Sequence, residues 1–343
     1  IFEYIFLEEI MRKINFNKQF KFYAVLWILF LPFFACCDSG KSEVKIANWN
    51  VQTFFDANND GTEYSEFAKS KTWGEEMYKE RLKRLCSVIK KLDADIFIME
   101  ELENSNVLFD ISNFLAGEWN PRKIYRYACF SKNEGGAIGC GVLSRIPLQK
   151  MNLHSLDIRT ENEKMPRTRP LSKIEIKLKE KTLSIFLNHW KSKSGGEEKT
   201  EKWRNREECV LSFFMSHALN EGKAVFAVGD FNRDINDFCV KENGNVLLRA
   251  WHGKLLGDEG LLVKSTWFDE NENLIEPGSY YFREEWSRID NIFYSGKIEV
   301  EDFFPAAEGF WCNENSIPYK YSLWNGRGYS DHLPLVCKVR LLN

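Results

Sequence analysis

Polar side chains that can bind metal ions stand at the ends of several short apolar segments of the sequence. Asn50, Glu101 and Asp230 each follow such a segment. Strands that end at one edge of a sheet bring these side chains together, and enzymes with α/β folds place their active sites at that edge. Hard cations such as Mg²⁺ prefer carboxylate and amide oxygens. The pattern therefore predicts a divalent metal site.

Two of the five histidines of the chain occur in the same setting. His189 follows an apolar segment, His332 precedes the last one, and Asp290 lies inside a third. Hydrolysis of a phosphoric ester needs a cation that neutralises charge on the phosphate oxygens, and groups that move protons. Together with the acidic and amide residues, the histidines predict metal-dependent phosphoester hydrolysis. Each motif alone is also typical of an ordinary turn or helix cap.

The composition is that of a soluble globular protein, because 44% of the residues are hydrophobic and 28% are charged. The net charge of −3 shows no overall basic character, which is the usual footprint of proteins that bind nucleic acid. Local basic patches are compatible with this average. The sequence contains no internal repeat and no low-complexity block.

Strand and helix patterns alternate through the body of the chain. The residues over 78–92 have the apolar spacing of an amphipathic helix, and further helices are predicted over 107–115 and 202–219. Apolar or alternating runs predict strands over 44–51, 95–99, 125–130, 138–144, 171–178, 182–188, 224–228, 288–294 and 335–341. Hairpins are frequent among these strands, which favours mixed sheets packed on each other with helices outside.

Six segments carry the candidate residues: Ile46-Ala47-Asn48-Trp49-Asn50-Val51, Asp95-Ile96-Phe97-Ile98-Met99-Glu100-Glu101-Leu102-Glu103-Asn104, Asn188-His189-Trp190-Lys191-Ser192-Lys193, Gly229-Asp230-Phe231-Asn232, Arg288-Ile289-Asp290 and Ser330-Asp331-His332-Leu333-Pro334. Taken in this order, they resemble the successive motifs of the endonuclease/exonuclease/phosphatase family. The resemblance covers essentially the whole chain from Val44. That family includes deoxyribonucleases, abasic-site endonucleases, bacterial sphingomyelinases and inositol-polyphosphate 5-phosphatases.

The resemblance implies a fold and a role for each matching position. The implied fold is a four-layer α/β/β/α sandwich with two mixed β-sheets. The cofactor expected from the family is Mg²⁺ or Mn²⁺, with Ca²⁺ as a further option. The implied metal ligands are Asn50, Glu101 and Asp331, and the implied catalytic residues are His189, Asp230, Asn232, Asp290 and His332.

Within that scheme each catalytic residue has an expected task. Asp230 and Asn232 orient or activate the attacking water, and His189 contacts the scissile phosphate. Asp290 is the acidic partner of His332. The division of the general-base role between His332 and Asp230 stays open at this point.

Some expected residues depart from the family pattern or are harder to place. Many relatives carry Gln where this chain has Glu100, whose charge either strengthens metal binding or points away from the site. The phosphate-binding candidates are Asn188, Arg169 and Lys191, and Arg169 is preferred over Tyr125, Arg126 and Arg167. Lysines and arginines of this kind are otherwise ordinary solvated surface residues.

The natural substrate is the least constrained property. The stretch from Asn188 to Lys193 is more similar to exported nucleases of the family than to its other branches, so we expect a nuclease that acts on DNA or RNA. The alternative is a sphingomyelinase-like or other small-molecule phosphodiesterase. Phe303-Phe304-Pro305 and Phe310-Trp311 are the candidate membrane-contacting segments for that alternative. A surface binding protein on the same fold is the non-enzymatic alternative, and no protein partner is predicted.

The N-terminal region has the pattern of a bacterial export signal. Basic residues after Met11 precede an apolar run over 22–35, which is shorter than the roughly 20 residues that span a membrane. Phe33-Phe34-Ala35-Cys36 is similar to a relaxed lipobox, which predicts lipid anchoring at Cys36 to a bacterial membrane. A periplasmic or secreted protein with a plain signal peptide is the alternative. The predicted organisation is a signal peptide over 1–36, a polar tether over 37–43 and a catalytic domain over 44–343.

Two further features are ambiguous in the sequence. Of the nine cysteines, Cys129 and Cys140 are the best candidate pair for a disulfide, although the scattered positions favour buried free thiols. The segment from Asp56 to Gly61 begins like a calcium-binding loop. The closing glutamate of such a loop should fall at position 67, which is Phe67, so the pattern only weakly indicates calcium binding.

Overall fold

The computed structural model contains two β-sheets that pack face to face, with helices on their outer surfaces. It describes residues 2–6, 41–156, 158–159, 163–164, 166–250 and 260–343. The rest of the predicted signal peptide and most of the predicted tether lie outside the described residues. No helix in the described part of the chain is long and apolar enough to cross a membrane.

The first sheet has seven strands and is mixed, because β2 (Glu43–Phe54) and β3 (Ile96–Leu102) run parallel while their other neighbours run antiparallel. Its order is β1 (Phe2–Phe6), β4 (Tyr127–Ser131), β5 (Gly139–Ser144), β3 (Ile96–Leu102), β2 (Glu43–Phe54), β17 (Leu335–Leu341) and β16 (Ile298–Pro305). The strand at 2–6 pairs with β4 at the edge of this sheet.

The second sheet has eight strands and is also mixed, since β8 (Lys181–His189) and β9 (Ala224–Asp230) run parallel. Its order is β10 (Cys239–Val240), β11 (Asn245–Leu248), β12 (Leu261–Ser265), β15 (Asp290–Ser295), β9 (Ala224–Asp230), β8 (Lys181–His189), β7 (Leu171–Leu178) and β6 (Leu148–His154). A separate hairpin is formed by β13 (Tyr280–Phe282) and β14 (Glu285–Ser287).

Helices connect the parallel strands, as such connections require. The helices are α1 (Ser65–Ala68), α2 (Glu75–Leu92), α3 (Ser105–Glu118) and α4 (Glu197–Asn220), with single 3₁₀ turns at Pro121–Lys123, Ile235–Asp237 and Glu242–Gly244. Helix α2 links β2 to β3, and α4 links β8 to β9. The buried face of α2 includes Tyr78, Leu82, Leu85 and Ile89, which follow the spacing of one helix side.

Alternating side chains divide the core into layers. In β3, Ile96 and Ile98 point into the core between the sheets, while Phe97 and Met99 point toward the core beneath α2 and α3. Leu211 of α4 packs on the outer face of the second sheet. Both faces of both sheets are therefore buried, which confirms the predicted four-layer α/β/β/α arrangement with two mixed sheets.

The predicted elements agree with the observed ones in their central parts. The strands over 171–178 and 335–341 have the predicted bounds, and the predicted helix over 78–92 begins a few residues earlier, at Glu75. None of the seven cysteines within the described residues forms a disulfide, and the candidate pair Cys129 and Cys140 is free and buried. This outcome agrees with the expectation of buried thiols.

Candidate active site

Two neighbouring backbone irregularities shape the centre of the first sheet. The register of β2 against β3 shifts after Asn50, and the pairing of β3 with β5 shifts between Glu100 and Leu102. Glu101 adopts a φ of 68°, in the left-handed region that is unfavourable for a non-glycine residue. A β-bulge of this kind re-aims a side chain. Here it directs the Glu101 carboxylate to within 3.2 Å of the Asn50 amide nitrogen.

Arg81 of α2 holds the irregular end of β2 in place. Its guanidinium donates to the backbone carbonyls of Val51, Gln52 and Thr53 and lies 3.6 Å from the ring centroid of Tyr321. The Arg81 side chain is almost fully buried. Sequence analysis missed this residue, although an arginine on the apolar face of an amphipathic helix was a signal of a specific buried role.

Side chains from both sheets meet at one point. One ligand atom from each of Glu101, His189 and Asp230 lies within 4.8 Å of the other two. The Asn50 amide nitrogen donates to Asp230 Oδ2 at 3.0 Å, which links β2 to β9 across the sandwich. His189 Nε2 lies 3.6 Å from the same Asp230 oxygen. The structure therefore brings together four residues that lie far apart in the sequence.

Glycine at position 229 makes this convergence sterically possible. Gly229 pairs with Asn188, and Asp230 pairs with His189, in the parallel ladder of β8 and β9. A Cβ atom at Gly229 would lie 1.9 Å from the carbonyl oxygen of Asn188, and its φ of 138° also favours glycine. Only a glycine here allows β9 to approach β8 closely enough to place Asp230 beside His189.

A buried hydrogen bond joins the second histidine to an acid. His332 Nδ1 lies 2.7 Å from Asp290 Oδ2, and both side chains are almost fully buried. The His332 backbone carbonyl accepts a hydrogen bond from the indole of Trp49 at 2.9 Å. Because Nδ1 faces Asp290, Nε2 is the nitrogen available to the pocket that His332 lines. This is the geometry of an oriented acid–base histidine.

Burial and neighbouring charges shift the pKa values of the cluster in opposite directions. Burial and the adjacent Asp290 charge raise the pKa of Asp230 to about 7. Burial disfavours charge on His332, but the Asp290 and Asp230 carboxylates more than offset this and raise its pKa to about 10. Burial and the charge of Arg169 hold the pKa of His189 well below its usual value. Such opposed shifts are typical of sites that move protons.

Glu100 lies beneath the cluster and does not point away from it. Its side chain is fully buried, and neither carboxylate oxygen has a hydrogen-bond partner among the described residues. Burial, together with the negative charges of Asp290 and Asp230, raises its pKa well above the usual range. The buried setting therefore favours the neutral form of this side chain.

The predicted phosphate ligands occupy different environments. Arg169 Nη2 lies 2.7 Å from His189 Nε2 and lines the pocket. In contrast, the Asn188 amide is buried and satisfied, since it donates to the carbonyls of Phe186 and Val228 and accepts from the indole of Trp190. The Lys191 ammonium donates to Ser192 and does not line the main pocket. The structure brings only Arg169 of the three to the cluster.

Two other predicted residues lie at the edge of the cluster. Asn232, with a φ of 48°, donates its backbone N–H to Asp230 Oδ1 at 2.8 Å and its amide to Asp230 Oδ2 at 3.2 Å. Asp331 lines the same pocket, but its carboxylate forms an ion pair with Lys320 at 3.1 Å. Asp331 is therefore not part of the closest ligand group.

The cluster forms the floor of a cleft with a volume of about 740 Å³. Sequence analysis did not single out several residues that line it. The hairpin of β13 and β14 supplies one wall, and its two-residue turn places Arg283 and Glu284 at positive φ. The cations that line the cleft are Arg169, Lys193, Arg283 and Lys320, and the aromatic residues are Phe67, Tyr280, Phe282 and Tyr321.

The donor set fits a divalent cation. Glu101 and Asp230 offer carboxylate oxygens, and the Asn50 amide lies between them, donating to both. The Asn50 amide bridges the two carboxylates at a place where a cation would interact more strongly with them, and turning the amide would present its oxygen instead. Glu101, Asp230 and Asn50 are therefore the residues that would hold the ion.

Sequence comparison places the chain in a family. The sequence profile of the Endonuclease/Exonuclease/phosphatase family matches residues 45–306. The chain belongs to this family. Phosphoric ester hydrolysis is the activity of endonuclease/exonuclease/phosphatase enzymes, in agreement with the site described above. A search of curated protein sequences finds no significant match.

Solved structures show the same fold at low sequence identity. Truncated TDP2 of Caenorhabditis elegans is 16% identical, with a TM-score of 0.55, and the match covers 88% of this chain and 99% of that chain. TDP2 of D. rerio in complex with a single-strand DNA product is 15% identical, with a TM-score of 0.53 and coverage of 88% and 100%. The endonuclease/exonuclease/phosphatase from Bacteroides vulgatus is 15% identical, with a TM-score of 0.51 and the same coverage.

Proposed function

We propose that the protein is a divalent-metal-dependent phosphodiester hydrolase that acts on nucleic acid. The observation that carries this proposal is the convergence of Glu101, His189 and Asp230 beside the hydrogen-bonded pair of Asp290 and His332. Two acidic ligands, one neutral histidine and one histidine held by an acid match the needs of phosphoryl transfer to water.

The metal supplies charge neutralisation on the phosphate and polarises the phosphorus centre when it is bound. Around it, the protein's own residues hold the substrate. Arg169 donates to His189 Nε2 and presents the other N–H groups of its guanidinium on one side of the cluster. Lys193, Arg283 and Lys320 line the cleft above and attract the remaining phosphate charge.

Asp230 and His332 are suited to different tasks. Asp230, which accepts two hydrogen bonds from Asn232 and would ligate the cation, is suited to orient a water molecule beside it. His332, with a pKa of about 10, carries its proton at neutral pH and is suited to donate it to the leaving oxygen. Asp290 keeps that imidazolium in position. In this proposal Asp230 orients the water and His332 is the acid.

Nucleic acid is the substrate class that the cleft favours. The basic side chains that line the cleft can contact the phosphates of a nucleic-acid backbone. The rings of Tyr280 and Phe282, stacked with centroids 6.1 Å apart, offer a surface on which bases can stack. Phe282 is 54% exposed, so its ring face is accessible. The D. rerio structure with a single-strand DNA product supports the same class in a protein with this fold. Four cations line the cleft in a chain whose average charge is acidic.

A lipid phosphodiester is the second candidate, favoured by one exposed aromatic residue. Trp324 is 80% exposed and lies beside Leu323, which lines the cleft. Exposed tryptophans are typical of proteins that contact a membrane interface. Of the segments considered for this role from sequence, Trp311 is buried, whereas Phe304 and Phe310 are partly exposed.

The test is cleavage by the purified protein of plasmid DNA, single-stranded DNA and RNA with Mg²⁺ or Mn²⁺. His332→Ala serves as the active-site control, and chelation of the metal serves as the cofactor control. Cleavage by the parent protein that both controls abolish supports the proposal. A folded parent protein that leaves all three nucleic acids intact but hydrolyses sphingomyelin vesicles would replace it with the lipid candidate.

We also propose that the protein is exported and lipid-anchored through Cys36. The support is the basic, apolar and lipobox-like pattern that precedes the described domain. Metabolic labelling with a radioactive fatty acid in a bacterial host tests it. Label in the membrane fraction that Cys36→Ser removes is the expected result, and unlabelled parent protein in the soluble fraction would contradict it.

A further inference from the structure

We infer that the acidic loop over 56–63 and the end of β3 form a second divalent-cation site, of the type that binds Ca²⁺. The site is separate from the catalytic cluster and rests on Asp60, Glu63 and Glu103. One carboxylate oxygen from each of these residues lies within 4.8 Å of the other two. Hard cations such as Ca²⁺ are bound by grouped oxygens of this type.

The decisive observation is the state of Glu103. Its side chain is fully buried, and its Oε1 has no hydrogen-bond partner among the described residues. Its other oxygen accepts the backbone N–H of Asp56. A buried, unpartnered carboxylate oxygen is costly unless a cation or donor satisfies it. Glu103 therefore points to a positively charged ligand at the cluster.

The surrounding charges do not supply that ligand. The three side-chain charges that act most strongly on Glu103 are those of Asp56, Glu63 and Asp60, and all are negative. Lys132 acts on Asp60 from outside the loop. A divalent cation would balance charges that the protein itself leaves unbalanced.

The loop is already folded in a form that can accept an ion. Glu63 accepts the backbone N–H groups of Asp60 and Gly61, and Asp60 accepts the backbone N–H and the hydroxyl of Thr62. Each carboxylate oxygen has two lone pairs, so these hydrogen bonds leave coordination sites free. The loop therefore needs little rearrangement to bind.

The fold supplies the glutamate that the calcium-loop pattern of the sequence lacks. The calcium-loop pattern from Asp56 lacked its last glutamate, since position 67 holds Phe67, which packs in an aromatic cluster. In the folded protein Glu103, which directly follows β3, takes the place of that glutamate beside Asp60 and Glu63. Glu103 follows Glu101 by two positions. The cation would therefore link the loop over 56–63 to the end of β3 that carries the Glu101 carboxylate.

Luminescence of Tb³⁺, a probe for Ca²⁺ sites, provides the test. The indole of Trp73 donates to the Asp56 carbonyl at 2.8 Å and can sensitise an ion in the loop. The measurement uses the full chain with Glu101→Gln and Asp230→Asn, so that the catalytic cluster does not contribute. We expect Tb³⁺ emission that Ca²⁺ displaces with a Kd of about 10⁻⁴–10⁻³ M, the range of weak extracellular sites.

Variants of exposed ligands keep the test independent of folding. Asp60→Asn with Glu63→Gln should remove the sensitised emission and the Ca²⁺-dependent rise in Tm, and Glu103→Gln should weaken both. Asp269→Asn is the matched control, because Asp269 is an exposed loop acid that accepts backbone N–H groups of Asn271 and Asn273 in a similar turn. Emission that persists in the Asp60/Glu63 variant, or is absent from the parent background, would overturn the inference.

Discussion

Asp290 and His332 are joined by a 2.7 Å hydrogen bond although they lie on different sheets of the sandwich. Asp290 begins β15 of the second sheet, whereas His332 precedes β17 of the first. Their side chains are buried, so water does not compete for the bond. The pair therefore fixes both the orientation and the charge of the imidazole.

Replacing Asp290 by asparagine should show how much of the activity depends on the charge of the Asp290 side chain and how much on its size. Asp290→Asn keeps the size of the side chain but removes the charge that raises the pKa of His332. We expect turnover to fall by about 10²–10⁴, the usual contribution of a positioned acid or base. The alkaline limb of the pH profile should move to lower pH. Steady-state kinetics between pH 5 and 10 measure both effects.

His332→Ala and the Asp290/His332 double variant provide the control for that prediction. Residues that act as a unit give non-additive losses. The double variant should therefore lose about as much activity as His332→Ala alone. Losses that simply multiply would show that the two residues act independently.

Glu100→Gln should stabilise the metal-free protein, and more so at higher pH. The folded protein keeps Glu100 protonated above the pH at which the unfolded chain ionises it. Stability linked to this group therefore falls as the pH rises from about 4.5, the usual value, toward the raised folded-state pKa. A glutamine at position 100 does not ionise, so this loss of stability with rising pH disappears in the variant. The difference from the parent protein should be small at pH 4.5 and larger at pH 8.

Urea unfolding in the presence of a chelator measures this difference. Glu314→Gln is the matched control, because Glu314 is an exposed loop glutamate. It should change stability by no more than about 0.5 kcal/mol at either pH. A Glu100→Gln protein that is less stable than its parent at pH 8 would mean that the carboxylate is charged and has a partner.

Metal binding should release protons near neutral pH. A cation at the catalytic cluster needs the ionised form of Asp230, whose pKa in the metal-free protein is about 7. The apparent Mg²⁺ affinity should therefore rise by up to about tenfold per pH unit below pH 7 and level off above it. Calorimetry in buffers of different ionisation enthalpy counts the released protons. A pH-independent Mg²⁺ affinity between pH 5.5 and 7 would contradict this prediction.

Arg169 should contribute to catalysis more than its neighbour Arg167. Arg169→Ala removes the cation 2.7 Å from His189 and should lower kcat/KM by about 10²-fold, as expected for loss of one preorganised charge donor. Arg167→Ala is the control, because this exposed side chain lies two positions away and outside the main cleft. Equal losses in the two variants would indicate a general electrostatic effect in place of a direct contact with phosphate.

The sequence was informative where periodicity and motif order agreed. The strands that carry Asn50, Asp230 and His189 were predicted from apolar runs, and the structure places these side chains together. The sequence could not show the bulge at Glu101, because a positive φ in a strand depends on the neighbouring strands and on the Arg81 contacts. Local propensity carries no information about such tertiary constraints.

Residues that are adjacent in the sequence can occupy different environments in the fold. Asn188 and His189 are consecutive, but alternation along β8 sends the first amide into a buried hydrogen-bond network and the second ring into the site. Tyr280, Phe282 and Arg283 were not singled out, since the short hairpin that carries them has no strong strand pattern. Their relevance follows only from the position of that hairpin beside the cleft.

Each sheet contributes half of the reactive groups through one parallel strand pair: β2 and β3 present Asn50 and Glu101, while β8 and β9 present His189 and Asp230. Neither pair of residues forms the site alone. The packing of the core between the two sheets therefore sets the position of one pair relative to the other. A sideways slip of about 1 Å between the two layers would misplace the reacting groups enough to cost on the order of 10² in rate. We therefore expect core substitutions midway between the sheets, far from any substrate, to reduce turnover at temperatures where both layers are still folded.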